Sequence, residues 1–152
     1  MIYSKKMNSY NKKYLSVDQI NDAIIEINNK LIISKWSPDV IISLNRGGCV
    51  PGVYLSHLIN VPHEVIDIKK TDNSQYLNAI EKYKNILIID DINDTGKTLQ
   101  LIKNLFSDHT ATIKFAVLVD NKSSNFMIDF AAKNIDKKVD NSWIVFPWEE
   151  MR

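Results

Sequence analysis

The apolar residues of this chain switch between two rhythms. Ile20, Ile24, Ile27 and Leu31 follow the capping-box sequence Ser16-Val17-Asp18-Gln19 at helical spacing, which predicts a helix ending shortly before Pro38. Asp39-Val40-Ile41-Ile42-Ser43-Leu44 is instead almost continuously apolar, as expected of a strand covered on both faces, and it breaks at Asn45-Arg46-Gly47-Gly48. Beyond it the pattern predicts a helix over Pro51 to Ile59, a strand over Val61 to Ile68 and a loop over Lys69 to Tyr76. A short helix over Leu77 to Tyr83 and a strand over Ile86 to Asp90 come next. A helix from Thr98 to Phe106 and a strand from Ile113 to Val119 follow, and the tail from Phe126 to Arg152 is irregular except for Trp143-Ile144-Val145-Phe146, a short strand stopped by Pro147. Strands alternating with helices predict an α/β domain, a mainly parallel twisted sheet flanked by helices.

Composition narrows this picture. A chain of 152 residues, 45% hydrophobic, fills one core rather than two, so residues 1–152 are expected to form a single domain, with 1–15 an irregular N-terminal segment. The 19 basic and 18 acidic residues nearly cancel, and a net charge of +1 sets up no global field for nucleic acid or an anionic membrane. Neither is expected as a partner. The single Cys49 excludes an internal disulfide and a multi-cysteine zinc site. No apolar run approaches the roughly 20 residues of a membrane span, and the opening MIYSKKMNSYNKKYLS lacks the apolar core of a signal peptide, which points to the cytoplasm.

The chemistry concentrates in Ile86 to Leu99, ILIIDDINDTGKTL, which begins as a buried strand and ends in acids, hydroxyls and glycine. At the carboxyl end of a parallel strand, the turn from Asp94 to Thr98 would present backbone N–H groups, hydroxyls and a helix N-terminus, all suited to phosphate. Asp90 and Asp91 repel phosphate but accept hydrogen bonds from sugar hydroxyls or hold magnesium. A phosphorylated ribose satisfies both halves. Gly96-Lys97-Thr98 ends like a Walker A loop, but the first glycine of that motif would fall at Asp91, so the spacing excludes it. Read alone, the segment also admits a plainer account, in which Asp94 caps the following helix and the other acids are solvated turn residues.

The segment resembles the phosphoribosyl-diphosphate (PRPP) signature of type I phosphoribosyltransferases: an apolar strand, two acids, two intervening residues, then Asp-Thr-Gly-x-Thr. Ser43-Leu44-Asn45-Arg46-Gly47-Gly48-Cys49-Val50-Pro51-Gly52 resembles the diphosphate loop and following helix of the xanthine-guanine branch, and Trp143-Ile144-Val145-Phe146-Pro147-Trp148-Glu149 resembles its terminal base-binding segment. On this resemblance the fold is the type I phosphoribosyltransferase fold, and residues 120–152 form a base-recognition segment. Its implied reaction is transfer of the 5-phosphoribosyl group from PRPP to guanine, xanthine or hypoxanthine.

The resemblance also implies roles. Asp94, Thr95, Gly96, Lys97 and Thr98 would cradle the 5′-phosphate, and Asp90 and Asp91 would hold the ribose hydroxyls, directly or through Mg2+. Arg46 and the backbone at Gly47 would meet the diphosphate, and Asp94 would take the purine N7 proton. Trp143 would stack on the base while backbone at Ile144 pairs with its edge, unless Trp143 simply packs the core. The family's usual base-reading lysine falls at Asn121 in ungapped alignment, with Lys122 one residue later, so either reads the 6-oxo group. Lys69-Lys70-Thr71-Asp72-Asn73-Ser74 occupies the place of a loop that closes over the reacting centre. A homo-oligomer, dimer or tetramer, is expected, as type I enzymes usually form. Phosphoribosyl transfer to another nitrogenous acceptor and non-catalytic PRPP sensing are the alternatives.

Overall fold

Ser16 starts the first helix as its sequence requires. Its Oγ accepts from the Gln19 N–H at 3.2 Å, while Gln19 Oε1 accepts from the Ser16 N–H at 2.9 Å, closing a capping box at the start of α1 (Val17–Ser34). The computed structural model describes residues 11–69 and 72–150. Lys70 and Thr71 of the expected closing loop lie outside them, as do the first ten residues.

Five strands form one parallel sheet: β2 (Val40–Leu44), β3 (His63–Ile66), β4 (Asn85–Asn93), β5 (Thr112–Asn121) and β6 (Phe130–Ile135), in the order β3-β2-β4-β5-β6. The helices α2 (Cys49–Ile59), α3 (Ser74–Ile80) and α4 (Lys97–Leu105) join α1 in covering it. Alternate residues of β4 serve opposite cores. Leu87 and Ile89 pack with Ile20, Ile24, Ile27 and Leu31 of α1 and Leu55 of α2. Ile86 and Ile88 pack with Ile80 of α3 and with Leu99 and Ile102 of α4. A strand buried on both faces must be apolar at every position, which is why ILII shows no alternation. The domain is α/β with a mainly parallel sheet, as its pattern predicts.

The departures have physical causes. The tail holds a strand that its pattern conceals: β6 is at the sheet's edge, and of Phe-Ala-Ala-Lys-Asn-Ile only Phe130 is fully buried. A second, two-stranded parallel sheet pairs the wholly exposed β1 (Lys12–Tyr14) with β7 (Trp143–Val145), so part of the expected irregular N-terminal segment is ordered against the tail. Three polar or half-exposed residues carry no readable alternation. Helix α3 starts within the segment expected to be loop, and β4 continues through Asp90 and Asp91 to Asn93 instead of stopping at Asp90.

Candidate active site

The two acids of β4 meet the turn after β2. A Cβ placed on Gly47 would lie 2.3 Å from Asp91 Oδ2, and one on Gly48 would lie 2.3 Å from the Ile89 carbonyl oxygen, so this turn closes on β4 only because both residues lack a side chain. The peptide bond between Asn45 and Arg46 is cis, and the Arg46 side chain is exposed at the rim. Burial, with the Asp91 charge beside it, pushes the Asp90 carboxyl well above the ordinary range. Burial likewise raises Asp91, to about 6, with the charge of Glu149 from the chain's last turn adding to it. Asp90 Oδ1 accepts from the Asp91 N–H at 2.9 Å, which ties the pair together. The Cys49 thiol is raised by burial and by Asp90, which places the start of α2 against the same acids.

Downstream, Gly96 takes φ +86°, and a Cβ there would come 2.7 Å from Phe126 Cβ. This left-handed residue turns the chain into α4, exposing Thr95 and Thr98, and as N-cap it supplies no side-chain acceptor to the first N–H groups of the helix. Those groups, with the helix dipole, face the carboxyl ends of the strands. The plainer account of Asp94 as a helix cap fails, because Gly96 is the cap.

Two buried asparagines hold the rest in place. Asn93 Nδ2 donates to Asp120 Oδ1 at 2.7 Å and to the Phe126 carbonyl at 2.9 Å, while its Oδ1 accepts from Ser124 Oγ at 2.9 Å. Asn121, 5% exposed, donates from Nδ2 to the Asp94 carbonyl at 2.9 Å, and its Oδ1 accepts from the Ser123 and Lys137 N–H groups at 3.2 and 3.0 Å. Both ends of the Asn121 amide are thus engaged by the protein. Lys122 is exposed, its backbone N–H bonds the Ile135 carbonyl, and its charge falls beside Asp136.

The lysine at Asp94 is one that the sequence did not single out. Lys137 Nζ lies 2.9 Å from Asp94 Oδ2 and 5.4 Å from the centroid of the Trp143 ring. Its side chain is 19% exposed, that of Asp94 39%. Trp143 itself is 50% exposed, which removes the reading in which it packs the core. The Trp143 N–H donates to the Asn11 carbonyl and the Val145 carbonyl accepts from the Leu15 N–H, so β7 turns alternate residues to β1. Ile144, between them, directs its backbone N–H and C=O to the opposite, open edge.

Paired acids, a glycine-only turn facing them and a glycine-capped helix start thus lie together at one end of a parallel sheet. The Phosphoribosyl transferase domain profile matches residues 7–151, and the chain belongs to that family as a phosphoribosyltransferase. It is 25% identical over 121 residues to the xanthine-guanine phosphoribosyltransferase of Idiomarina loihiensis, covering 72% of this chain and 70% of that one. To the enzyme of the same name from Cereibacter sphaeroides it is 27% identical over 120 residues, covering 72% and 68%. Among solved structures, the purine phosphoribosyltransferase of Pyrococcus horikoshii superposes with a TM-score of 0.72 at 33% identity, covering 92% of this chain and 95% of that one. The Helicobacter pylori xanthine-guanine-hypoxanthine enzyme reaches 0.75 at 20% identity over 93% and 95%, a likeness of fold.

No helix of the described residues is long and apolar enough to cross a membrane. Among the same residues no three His, Cys, Asp or Glu side chains form a metal cage. Two adjacent carboxylates without a third protein ligand suit magnesium, which keeps waters and binds through one or two carboxylates plus substrate oxygens.

Proposed function

We propose that this enzyme transfers the 5-phosphoribosyl group of PRPP to a purine base carrying a 6-oxo group, releasing diphosphate and forming a nucleoside monophosphate. The observation that carries the reading is the closure of the Gly47 turn on Asp91, since on this reading the turn takes the diphosphate and Asp91 the ribose hydroxyls. The purine assignment is supported by the names of the relatives and by the half-exposed Trp143, whose ring and the Asp94 carboxylate share Lys137 as a neighbour.

On this reading the N–H groups at the start of α4, with Thr95 and Thr98, hold the 5′-phosphate, and Gly96 lets the backbone approach it. Asp90 and Asp91 accept from the 2′- and 3′-hydroxyls, and Lys97 adds positive charge at the mouth. Magnesium bound at the two acids would neutralise charge developing on the diphosphate. Arg46 and the Gly47 N–H meet that leaving group from the other side. The C1–O bond breaks with its electron pair going to diphosphate, purine N9 forms the new bond to C1, and the proton on N7 passes to Asp94. Trp143 stacks on the ring, and the open edge of β7 at Ile144 pairs with the base.

The test is diphosphate release by the purified protein with PRPP, magnesium and, in turn, guanine, xanthine, hypoxanthine, adenine, uracil and orotate. Release with 6-oxopurines alone is expected. Release with a pyrimidine instead would replace the acceptor, and thermal stabilisation by PRPP without release would replace transfer by sensing. Gly47→Ala is expected to weaken PRPP binding at least tenfold, read by calorimetry, since its Cβ must displace the Asp91 carboxylate. Unchanged binding would remove the turn from the diphosphate site.

A further inference from the structure

We propose that Asn121 is a positioning residue for the reaction: without touching the base, its amide holds Asp94 at the point where the sheet no longer does so. The inference rests on the purine-transfer reading above, in which Asp94 takes the N7 proton, and it assigns the residue that keeps this acid in place. Strand β4 ends at Asn93, whose partner on β5 is Asp120, and Asp94 lies one residue past the last paired position. Its backbone therefore has no ladder to join. Strand β5 runs one residue further, and the Asn121 side chain supplies what the ladder lacks: Nδ2 donates to the Asp94 carbonyl at 2.9 Å.

The same amide also sets the side chain of Asp94, through Lys137. Asn121 Oδ1 accepts from the Lys137 N–H at 3.0 Å, and Lys137 Nζ lies 2.9 Å from Asp94 Oδ2. Asn121, Asp94 and Lys137 thus close a ring in which the acid is gripped by its backbone from one side and by its carboxylate from the other. The ring is anchored in the sheet, because Asn121 is 5% exposed and is paired with Ile135 of β6. A proton acceptor must lie within hydrogen-bond reach of the proton it takes, and a misplacement of about 1 Å can cost about 100-fold in rate. A partly exposed carboxylate past the end of its strand needs such a hold. Asn93, the other buried amide, serves a different element: it bonds Asp120, Ser124 and Phe126, and Gly96 rests on the last two. The phosphate turn thus has a support of its own, and loss of the Asn121 amide falls on the acid.

The experiment places Asn121→Leu and Asn121→Ala in the wild-type chain and in Asp94→Asn, and follows diphosphate release with PRPP, magnesium and guanine or hypoxanthine. Asn121→Leu keeps the volume and removes every hydrogen bond of the amide, so kcat is expected to fall by about 10- to 100-fold while the KM values for PRPP and for the base stay within about threefold. Asn121→Ala leaves space beside the Asp94 carbonyl and the Ser123 and Lys137 N–H groups, enough polar partners to hold a water where the amide was. Its loss of kcat is expected to be the smaller. In the Asp94→Asn background, Asn121→Leu is expected to cost less than about a further twofold, since a residue that acts through the carboxylate loses its effect once the carboxylate is gone. Thermal stabilisation by PRPP with magnesium, retained in both single variants, shows that the fold and the sugar-phosphate pocket are intact. An unchanged kcat, a full additional loss in the Asp94→Asn background, a larger loss for Asn121→Ala than for Asn121→Leu, a defect confined to the KM for the base, or disappearance of the PRPP effect from both variants would each overturn the assignment while leaving purine transfer standing. A wild-type protein inert toward every purine, or Asp94→Asn with wild-type turnover, would overturn the reading on which the inference rests, and the inference with it.

Discussion

Asp94→Asn is expected to lower kcat for diphosphate release with a 6-oxopurine by about 10²- to 10⁴-fold, the range attached to a positioned general base. Asparagine keeps the shape of the side chain, and the Asp94 carbonyl held by Asn121 is untouched. What disappears is the carboxylate proposed above to receive the N7 proton, together with the ion pair to Lys137. That pair is partly exposed at both ends, so its loss should cost the fold about 1 kcal/mol or less. A large fall in kcat with a small change in melting temperature is thus the signature of chemistry rather than stability. If turnover survived within about twofold, the proton would have another destination and Asp94 would be a structural partner of Lys137.

Asp91→Asn is expected to stabilise the protein and to abolish its binding of PRPP with magnesium. The Asp91 carboxyl is raised to about 6 in the fold, by burial first and by Glu149 after it. A carboxyl whose folded value lies above its unfolded value near 3.8 favours the folded state while it is protonated. That contribution is whole below pH about 4 and is lost as pH rises through about 6, so at neutral pH the ionised group opposes folding. Asparagine removes the opposing charge, and the melting temperature without ligand should rise by about 2–4 °C per kcal/mol recovered. The advantage should shrink as pH falls from 7 to 4. The substitution leaves Asp90 Oδ1 bonded to the backbone N–H of residue 91, so the strand end keeps its local tie. Differential scanning at several pH values, with and without PRPP and magnesium, separates the two effects. A variant less stable than wild type at pH 7 would mean that the carboxylate holds the Gly47 turn rather than straining against it.

Both expectations concern residues legible in the chain before any fold was known. An ILII run is expected to be buried on both faces, and Gly96-Lys97-Thr98 marks a helix start suited to anions, whereas the acids between them, read alone, admitted solvated turn residues as well. The capping box at Ser16, the parallel core strands and the site acids all follow from local rules of spacing and side-chain chemistry. Trp143 was singled out only through the resemblance of Trp143-Ile144-Val145-Phe146-Pro147-Trp148-Glu149 to a base-binding segment.

Lys137 and Asn93 were not recognisable in that way, and Asn121 was singled out as a base reader rather than for the tie it makes to the Asp94 backbone. Asp136-Lys137-Lys138-Val139-Asp140 has no period and no motif, and nothing in it distinguishes Lys137 from its neighbour Lys138. The distinction comes from register: β4 pairs Asn93 with Asp120, and β5 pairs Asn121 with Ile135, so the ends of three strands align and the turn after β6 is drawn over Asp94. Asn121 then bonds that turn from one end of its amide and the Asp94 backbone from the other. The sequence by itself determined the layers and pointed to the sugar-phosphate reading, because burial and phosphate binding act through neighbouring residues. That Lys137 is the ion-pair partner of Asp94 was decided only by the tertiary structure, because a charge far away in the chain becomes a partner through strand pairing alone.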